Sequence, residues 1–264
     1  MEEQFSRTEL LLGKAAMEKL THSHVAVFGI GGVGGYVVEA LVRSGVGAID
    51  LIDHDQVSLS NLNRQIIATR DTVGRNKTAV MRERILSINP DCRVEVHDCF
   101  YLPETREEFD FASYDYVVDA IDTVTGKLQL VVQAQEMDIP IISSMGAGNK
   151  LNPAEFQVAD IYETSVCPLA KVMRKELKKR GVKHLKVVYS KEKPLSPGGD
   201  EETESAGVVT RRKVTPGSVA FVPSVVGLII ASEVIKDLTA DARAANGMSE
   251  SGSYTAIKED GGDE

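Results

Sequence analysis

Four clusters of residues along this chain could do chemistry on a nucleotide. The first is Gly29, Gly31, Gly32 and Gly34 in the run GIGGVG, directly after the apolar run His24–Phe28 and opening a helical stretch. Glycines there let the backbone turn tightly and approach a phosphate, and the next helix offers free N–H groups and a positive dipole end. The second is Asp53, 24 residues after Gly29 and just past a second apolar run. A carboxylate at that distance can accept hydrogen bonds from ribose hydroxyls. The third is the stretch DHDQVSLSNLNRQ, containing Asp55, Asn61, Arg64 and Gln65, followed by VGRNK ending at Lys77. Arg64 and Lys77 stand thirteen residues apart. Both cations could reach a triphosphate and neutralise charge developing on a leaving pyrophosphate, although each alone also reads as a solvated surface charge. The fourth is VVDAIDT, with Asp119 and Asp122 at the carboxyl end of an apolar run. Open α/β sheets bind ligands at such strand ends, and a carboxylate there can hold Mg²⁺ through oxygen or merely cap the next helix. A dehydrogenase would also have to hold nicotinamide, and the glycine loop by itself says nothing about the second half of NAD. The cations and paired carboxylates point to ATP.

The elements that must position these groups alternate in type. Short strands are expected at His24–Phe28, Ala48–Ile52, Arg93–His97, Tyr114–Ala120 and Pro140–Ser144, separated by helices over Gly34–Ser44, Lys77–Ser87 and Gly126–Glu136. A helix over Glu9–Leu20 precedes them. Strands at Phe156–Ala159 and Leu185–Tyr189, a helix over Pro168–Arg180 and a buried helix over Val219–Ile235 follow. This pattern predicts an α/β fold with a Rossmann-like, doubly wound, mostly parallel sheet and helices on both faces. Residues 1–239 form one domain in this reading, with a mobile loop at about 191–207. Residues 240–264 are expected to be a disordered acidic tail.

Composition narrows the partners. The chain has 264 residues, enough for one sizeable core, and a formal net charge of −9, so no global positive field attracts nucleic acid. Locally the balance reverses. Residues 171–193 hold ten Lys or Arg against two acids, and Lys171, Arg174, Lys175, Lys178, Lys179 and Arg180 fall on one helix. That is either a phosphate-tracking surface for RNA or a solvated helix face. Cys92, Cys99 and Cys167 form no C-x-x-C pair, so neither a structural zinc site nor a disulfide framework is expected. The N-terminus lacks the regions of a signal peptide, and no membrane role is expected; the chain reads as cytoplasmic.

Taken together, GIGGVG, LIDHDQVSLSNLNRQ, VGRNK and VVDAIDT resemble the adenylating domain shared by ubiquitin-activating enzymes and their bacterial relatives in molybdopterin and thiamine synthesis. The resemblance covers about residues 5–145. It implies the ubiquitin-activating type of adenylation fold, with ATP and Mg²⁺ as cofactors. It further implies that Gly29, Gly31, Gly32 and Gly34 form the nucleotide loop and that Asp53 holds the ribose. Asn61, Arg64 and Lys77 would contact the phosphates, with Asp55, Gln65 and Asp119 in the same site, and Asp122 would serve the Mg²⁺–pyrophosphate. Arg7 would reach the ATP of a neighbouring subunit, which implies a homodimer.

The later segment SSMGAGNKLNPAEFQVADIYETSVCPLAKVMRKELKKRG looks like the branch of that family that closes threonylcarbamoyladenosine in tRNA, with loss of water, to a cyclic form. This implies a tRNA substrate and admits a cysteine-desulfurase or sulfur-acceptor system as a further partner. The alternative within the family is adenylation of the C-terminus of a ubiquitin-like sulfur-carrier protein; those relatives usually carry two C-x-x-C pairs, absent here. Cys167, just before Pro168 and a helix, is a candidate thioester nucleophile or a buried thiol. Cys92 and Cys99 read as packing residues. Some members carry a cysteine near the segment matching Arg211–Ser218; this chain has none there.

Overall fold

The computed structural model describes residues 3–196 and 216–245. Two short helices come first, α1 (Ser6–Leu12) and α2 (Lys14–Thr21). Then follow β1 (His24–Phe28), α3 (Gly34–Arg43), β2 (Ala48–Ile52), α4 (Lys77–Ile88), β3 (Arg93–His97), β4 (Tyr116–Asp119), α5 (Val124–Glu136) and β5 (Ile141–Ser144). The second half adds β6 (Phe156–Asp160), α6 (Pro168–Lys179), β7 (Lys186–Ser190), α7 (Phe221–Leu238) and α8 (Ala240–Ala245). The seven strands form one sheet in the order β3-β2-β1-β4-β5-β7-β6. Every neighbouring pair is parallel except β6 and β7.

β1 is apolar throughout because it is covered on both faces, and all five of its residues are buried. Val25 and Val27 pack with Leu41, Val226 and Ile230 in a cluster that holds α3 and α7 against one face. Ala26 and Phe28 alternate to the opposite face, in a cluster with Tyr101, Phe111, Val117 and Leu130 of α5. Each large apolar side chain buried this way is worth about 1.5–3 kcal/mol. α7 comes so close to the start of α3 that a Cβ on Gly227 would lie 2.4 Å from the Val33 carbonyl oxygen. No helix among the described residues is long and apolar enough to cross a membrane.

The chain runs from β1 outward to β2 and β3, then returns to build β4 and β5 on the other side. The direction of winding thus reverses between β1 and β4, where Phe28 pairs with Asp119. A crevice opens at the carboxyl ends of the strands at that reversal.

The structure corrects three expectations. The helix expected over Glu9–Leu20 is two helices, because Gly13 adopts φ 85° between them. The expected tail starts too early. α8 occupies Ala240–Ala245, an alanine-rich stretch of high helix propensity that lies against α2, with Arg243 donating its backbone N–H to the Thr239 carbonyl. The expected mobile loop also starts too early. Lys191 N–H bonds the Glu155 carbonyl at 3.2 Å and Leu195 N–H bonds the Asn149 carbonyl at 2.7 Å. The rest of that loop falls outside the described residues, as does the basic run Arg211–Lys213, which the sequence offers as an extension of the basic patch on α6.

Candidate active site

The crevice is a cleft of about 420 Å³ lined by the glycine loop, the ends of β2 and β4 and the segment Pro216–Ser218. The glycines divide the work. Gly29 takes φ 91°, and a Cβ there would meet the Ala120 carbonyl oxygen at 2.7 Å; one on Gly34 would meet the Gly29 carbonyl oxygen at 1.7 Å. These two close the loop against its own strand and helix, and Gly34 does not line the cleft. At Gly31 the nearest atom to a Cβ is Gln65 Nε2 at 3.8 Å, so that position is open toward the cleft. Among the described residues, the backbone N–H groups of Gly31, Gly32 and Val33 donate to no backbone carbonyl. Three donors left free among the described residues, leading into the N-terminus of α3, make an anion seat.

Asp53, past the end of β2, anchors the loop from the side. One carboxylate oxygen accepts from Ile30 N–H at 2.6 Å and the other from Asp55 N–H at 2.9 Å. Lys77 opens α4, and its ammonium is buried between the two acids, 2.7 Å from Asp55 and 3.8 Å from Asp53. Its register is held by Asp98, which accepts from Asn76 Nδ2 at 2.9 Å and from the Thr78 hydroxyl. Asn61 caps a helical turn, accepting from Ser58 N–H at 3.0 Å. Arg64 donates through Nη1 to the Ser60 carbonyl at 2.8 Å and to Asn63 Oδ1 at 2.9 Å. Gln65 is buried, and its Oε1 has no hydrogen-bond partner among the described residues. An orphaned buried acceptor at a polar cleft wall is costly unless a ligand supplies the donor. A ribose or base amino group would do so.

Asp122 lies exposed in the cleft wall. Asp119 does not reach the cleft, which corrects its expected place in the site. Asp119 is fully buried, 3.0 Å from the equally buried Lys127 ammonium, and accepts from Ser143 Oγ at 2.5 Å. Lys127 also donates to the Ile121 carbonyl at 3.1 Å, which fixes the turn carrying Asp122. Burial of both charges beside the first turns of α5 gives Asp119 a positioning task.

The remaining expected residues are dispersed. Cys167 is buried in the apolar cluster of Met145, Ala170 and Met173 and does not line the cleft, which agrees with the buried-thiol reading and not with the thioester alternative. Arg7 is exposed on α1 and does not line its own chain's cleft. α6 is amphipathic, burying Ala170, Met173 and Leu177. Of its cations, Arg174 is turned inward to the Thr164 carbonyl at 2.7 Å. Lys179 and Arg180 pair with Glu176. Lys171, Lys175 and Lys178 are exposed and make no ion pair among the described residues.

Several cleft residues went unread in the sequence. Cys99, taken there for packing, lines the cleft beside Phe100, whose ring stacks on His54. Burial, helped by Glu108 and Asp98, pushes the Cys99 thiol up, so it is a poor thiolate. Pro216, Gly217 and Ser218 carried no local signal, being tied to the cleft by residues far along the chain.

The ThiF family matches residues 5–257. The chain is similar to the tRNA threonylcarbamoyladenosine dehydratase of Bacillus subtilis (strain 168), with 47% identity over 242 residues, covering 90% of this chain and 95% of that protein. It is also similar to crystal structures of Escherichia coli tRNA N6-threonylcarbamoyladenosine dehydratase in complex with AMP and with ATP. Their TM-scores are 0.82 and 0.81 at 37% and 36% identity, each match covering 92% of this chain and 96% of the other. A family match over nearly the whole chain, with this cleft at the strand ends, leaves one assignment: the chain belongs to the ThiF family.

Proposed function

We infer that this chain is an ATP-dependent tRNA threonylcarbamoyladenosine dehydratase. The observation that carries the inference is the joint arrangement in one cleft of the unpaired N–H groups of Gly31–Val33, the cations Arg64 and Lys77 and the free carboxylate of Asp122. Relatives of the same name match along nine-tenths of the chain, which favours this reading over adenylation of a carrier protein.

In the first step the carboxylate of the tRNA-borne threonylcarbamoyl group attacks the α-phosphorus of ATP. The bond to the bridging oxygen breaks, and pyrophosphate leaves with its electron pair. The resulting acyl-adenylate is then attacked at its carbonyl by the neighbouring ureido group, which loses a proton as AMP departs. One water is thereby removed from the nucleoside, and its elements are accounted for in AMP and pyrophosphate. The attacker is intramolecular, so the protein's task is positioning and charge stabilisation. Arg64 keeps Nε and Nη2 free of partners among the described residues and can turn them on the leaving pyrophosphate. Lys77 exchanges Asp55 for phosphate oxygen. Asp122 makes no hydrogen bond or ion pair among the described residues, which suits Mg²⁺, an ion bound by one or two carboxylates plus substrate phosphates. Mg²⁺ held there would neutralise phosphate charge.

The exposed lysines of α6 form the proposed tRNA-tracking face. Leu10 and Leu11 on α1 are 81% and 78% exposed beside Arg7, an apolar strip that supports a homodimer in which Arg7 enters the partner's site. The protein would act in the cytoplasm, with its tRNA. Arg64→Ala and Asp122→Ala test the site. Both should keep the wild-type circular dichroism spectrum and lose AMP formation with modified tRNA, and full activity in either removes that residue from the mechanism.

A further inference from the structure

We propose that Asn63 and Asn149 are positioning residues that clasp the segment Pro216–Val219 over the nucleotide cleft at two points, and that Asn63 also aims Arg64. The proposal rests on the ATP-cleft reading and concerns two side chains outside its reacting set.

Pro216, Gly217 and Ser218 line the cleft but belong to no helix or strand, so something else must hold them. At one end, Asn149 N–H donates to the Gly217 carbonyl at 2.8 Å, and Gly217 N–H donates to Asn149 Oδ1 at 2.6 Å. At the other, Asn63 Nδ2 donates to the Ser218 carbonyl at 2.9 Å. The two asparagines come from separate elements, one just before Arg64 and the other after β5. They grip adjacent residues of one strap.

The residue types fit the task. Asn149 has φ 58°, a left-handed conformation that asparagine adopts more readily than other side-chain-bearing residues. That backbone lets one residue offer its N–H and its Oδ1 to the same partner. The turn beneath is tight, since a Cβ on Gly148 would lie 2.8 Å from Pro216 Cβ. Asn63 uses both chemistries of its amide: the NH₂ holds the strap while Oδ1 accepts from Arg64 Nη1 at 2.9 Å. Arg64 is thereby oriented by the same side chain that closes the cleft. A strap held this way excludes water from a site whose interactions are charge–phosphate contacts, which strengthen as the local dielectric falls.

Asn149→Gly keeps the left-handed backbone and deletes only the side-chain acceptor. Asn63→Ala deletes a solvent-exposed amide, so the fold survives both. With ATP alone, calorimetric titration should show each variant binding about fivefold more weakly, the loss of one hydrogen bond's worth. Hydrogen exchange in a peptide covering Gly217–Val219 should quicken in both. Because either change frees the same strap, the double variant should bind ATP no more than about twofold more weakly than the weaker single. In turnover with modified tRNA, Asn149→Gly should raise KM for ATP with little change in kcat, whereas Asn63→Ala should also lower kcat through Arg64. Additive losses or unchanged exchange overturn the clasp, and an unchanged kcat in Asn63→Ala overturns the aiming of Arg64. Binding and exchange need no tRNA. A wild-type protein that binds ATP without releasing AMP from any tRNA would sink the dehydratase reading while leaving the clasp fully judged.

Discussion

Replacing Lys127 by methionine should remove a large share of this fold's stability and, by a separate route, its activity. The Lys127 ammonium and the Asp119 carboxylate are both fully buried at 3.0 Å. Methionine matches the length and much of the volume of lysine but leaves the Asp119 charge without its partner. Removing one member of a buried pair costs about 3–5 kcal/mol, against a total stability of roughly 5–15 kcal/mol for a typical domain. Adding Asp119→Asn removes the stranded charge while keeping the shape. The double variant should therefore recover about 2–3 kcal/mol of that loss. Activity should not recover with it. The Ile121 carbonyl, which accepts from Lys127 at 3.1 Å, stays without its donor in both variants, and the turn bearing Asp122 is freed. Urea unfolding followed by circular dichroism gives the stabilities from midpoint and slope, and AMP release gives the activity. A loss below about 1 kcal/mol in Lys127→Met would refute the argument from buried charge. Activity rising in step with stability in the double variant would refute the positioning of Asp122.

Three further outcomes follow from the geometry. Gly34→Ala puts a Cβ 1.7 Å from the Gly29 carbonyl and should lower the melting temperature, whereas Gly31→Ala meets nothing closer than 3.8 Å and should weaken ATP binding at unchanged melting temperature. Melting curves with and without ATP distinguish the two. Stability should peak between the ordinary pKa values of Asp50 and His97, 3.8 and 6.5. Burial pushes Asp50 up, but hydrogen bonds from His24, His97 and Tyr114 outweigh it and hold the carboxyl well below its ordinary value, so its contribution is lost as pH falls below 3.8. The Asp50 hydrogen bond raises His97, so its contribution is complete below 6.5 and lost as pH rises through the raised value. His97→Gln should flatten the alkaline limb of melting temperature against pH. Changing Lys171, Lys175 and Lys178 to alanine should make log Kd for tRNA less steep against log salt, by roughly 0.7–0.9 for each phosphate that is no longer neutralised. An unchanged slope returns α6 to a solvated face.

The parts of the fold that were legible are those set by local burial. β1 and β4 read as strands because both their faces are covered, so nearly every residue is apolar. The cleft followed from them, since a glycine loop between a strand and a helix has one place to go. Lys127 was invisible because a lysine within α5 reads as solvated, and only its packing against Asp119 shows otherwise. Asp119 was misplaced for the same reason. Asn149 lies 68 residues from Gly217, and nothing local to either announces their pairing. Gly13 broke a helix that the leucine spacing alone runs together. The cations of α6 were countable in sequence, but their pairing with Glu176 and Thr164 depends on side-chain direction.

The most direct test gives the pure protein ATP and Mg²⁺ with tRNA bearing threonylcarbamoyladenosine, or with a sulfur-carrier protein ending in Gly-Gly. Nucleoside mass spectrometry and AMP quantification are read together. The account predicts one AMP per nucleoside that loses a water, with tRNA only. AMP release with the carrier alone, and an unaltered nucleoside, would contradict it.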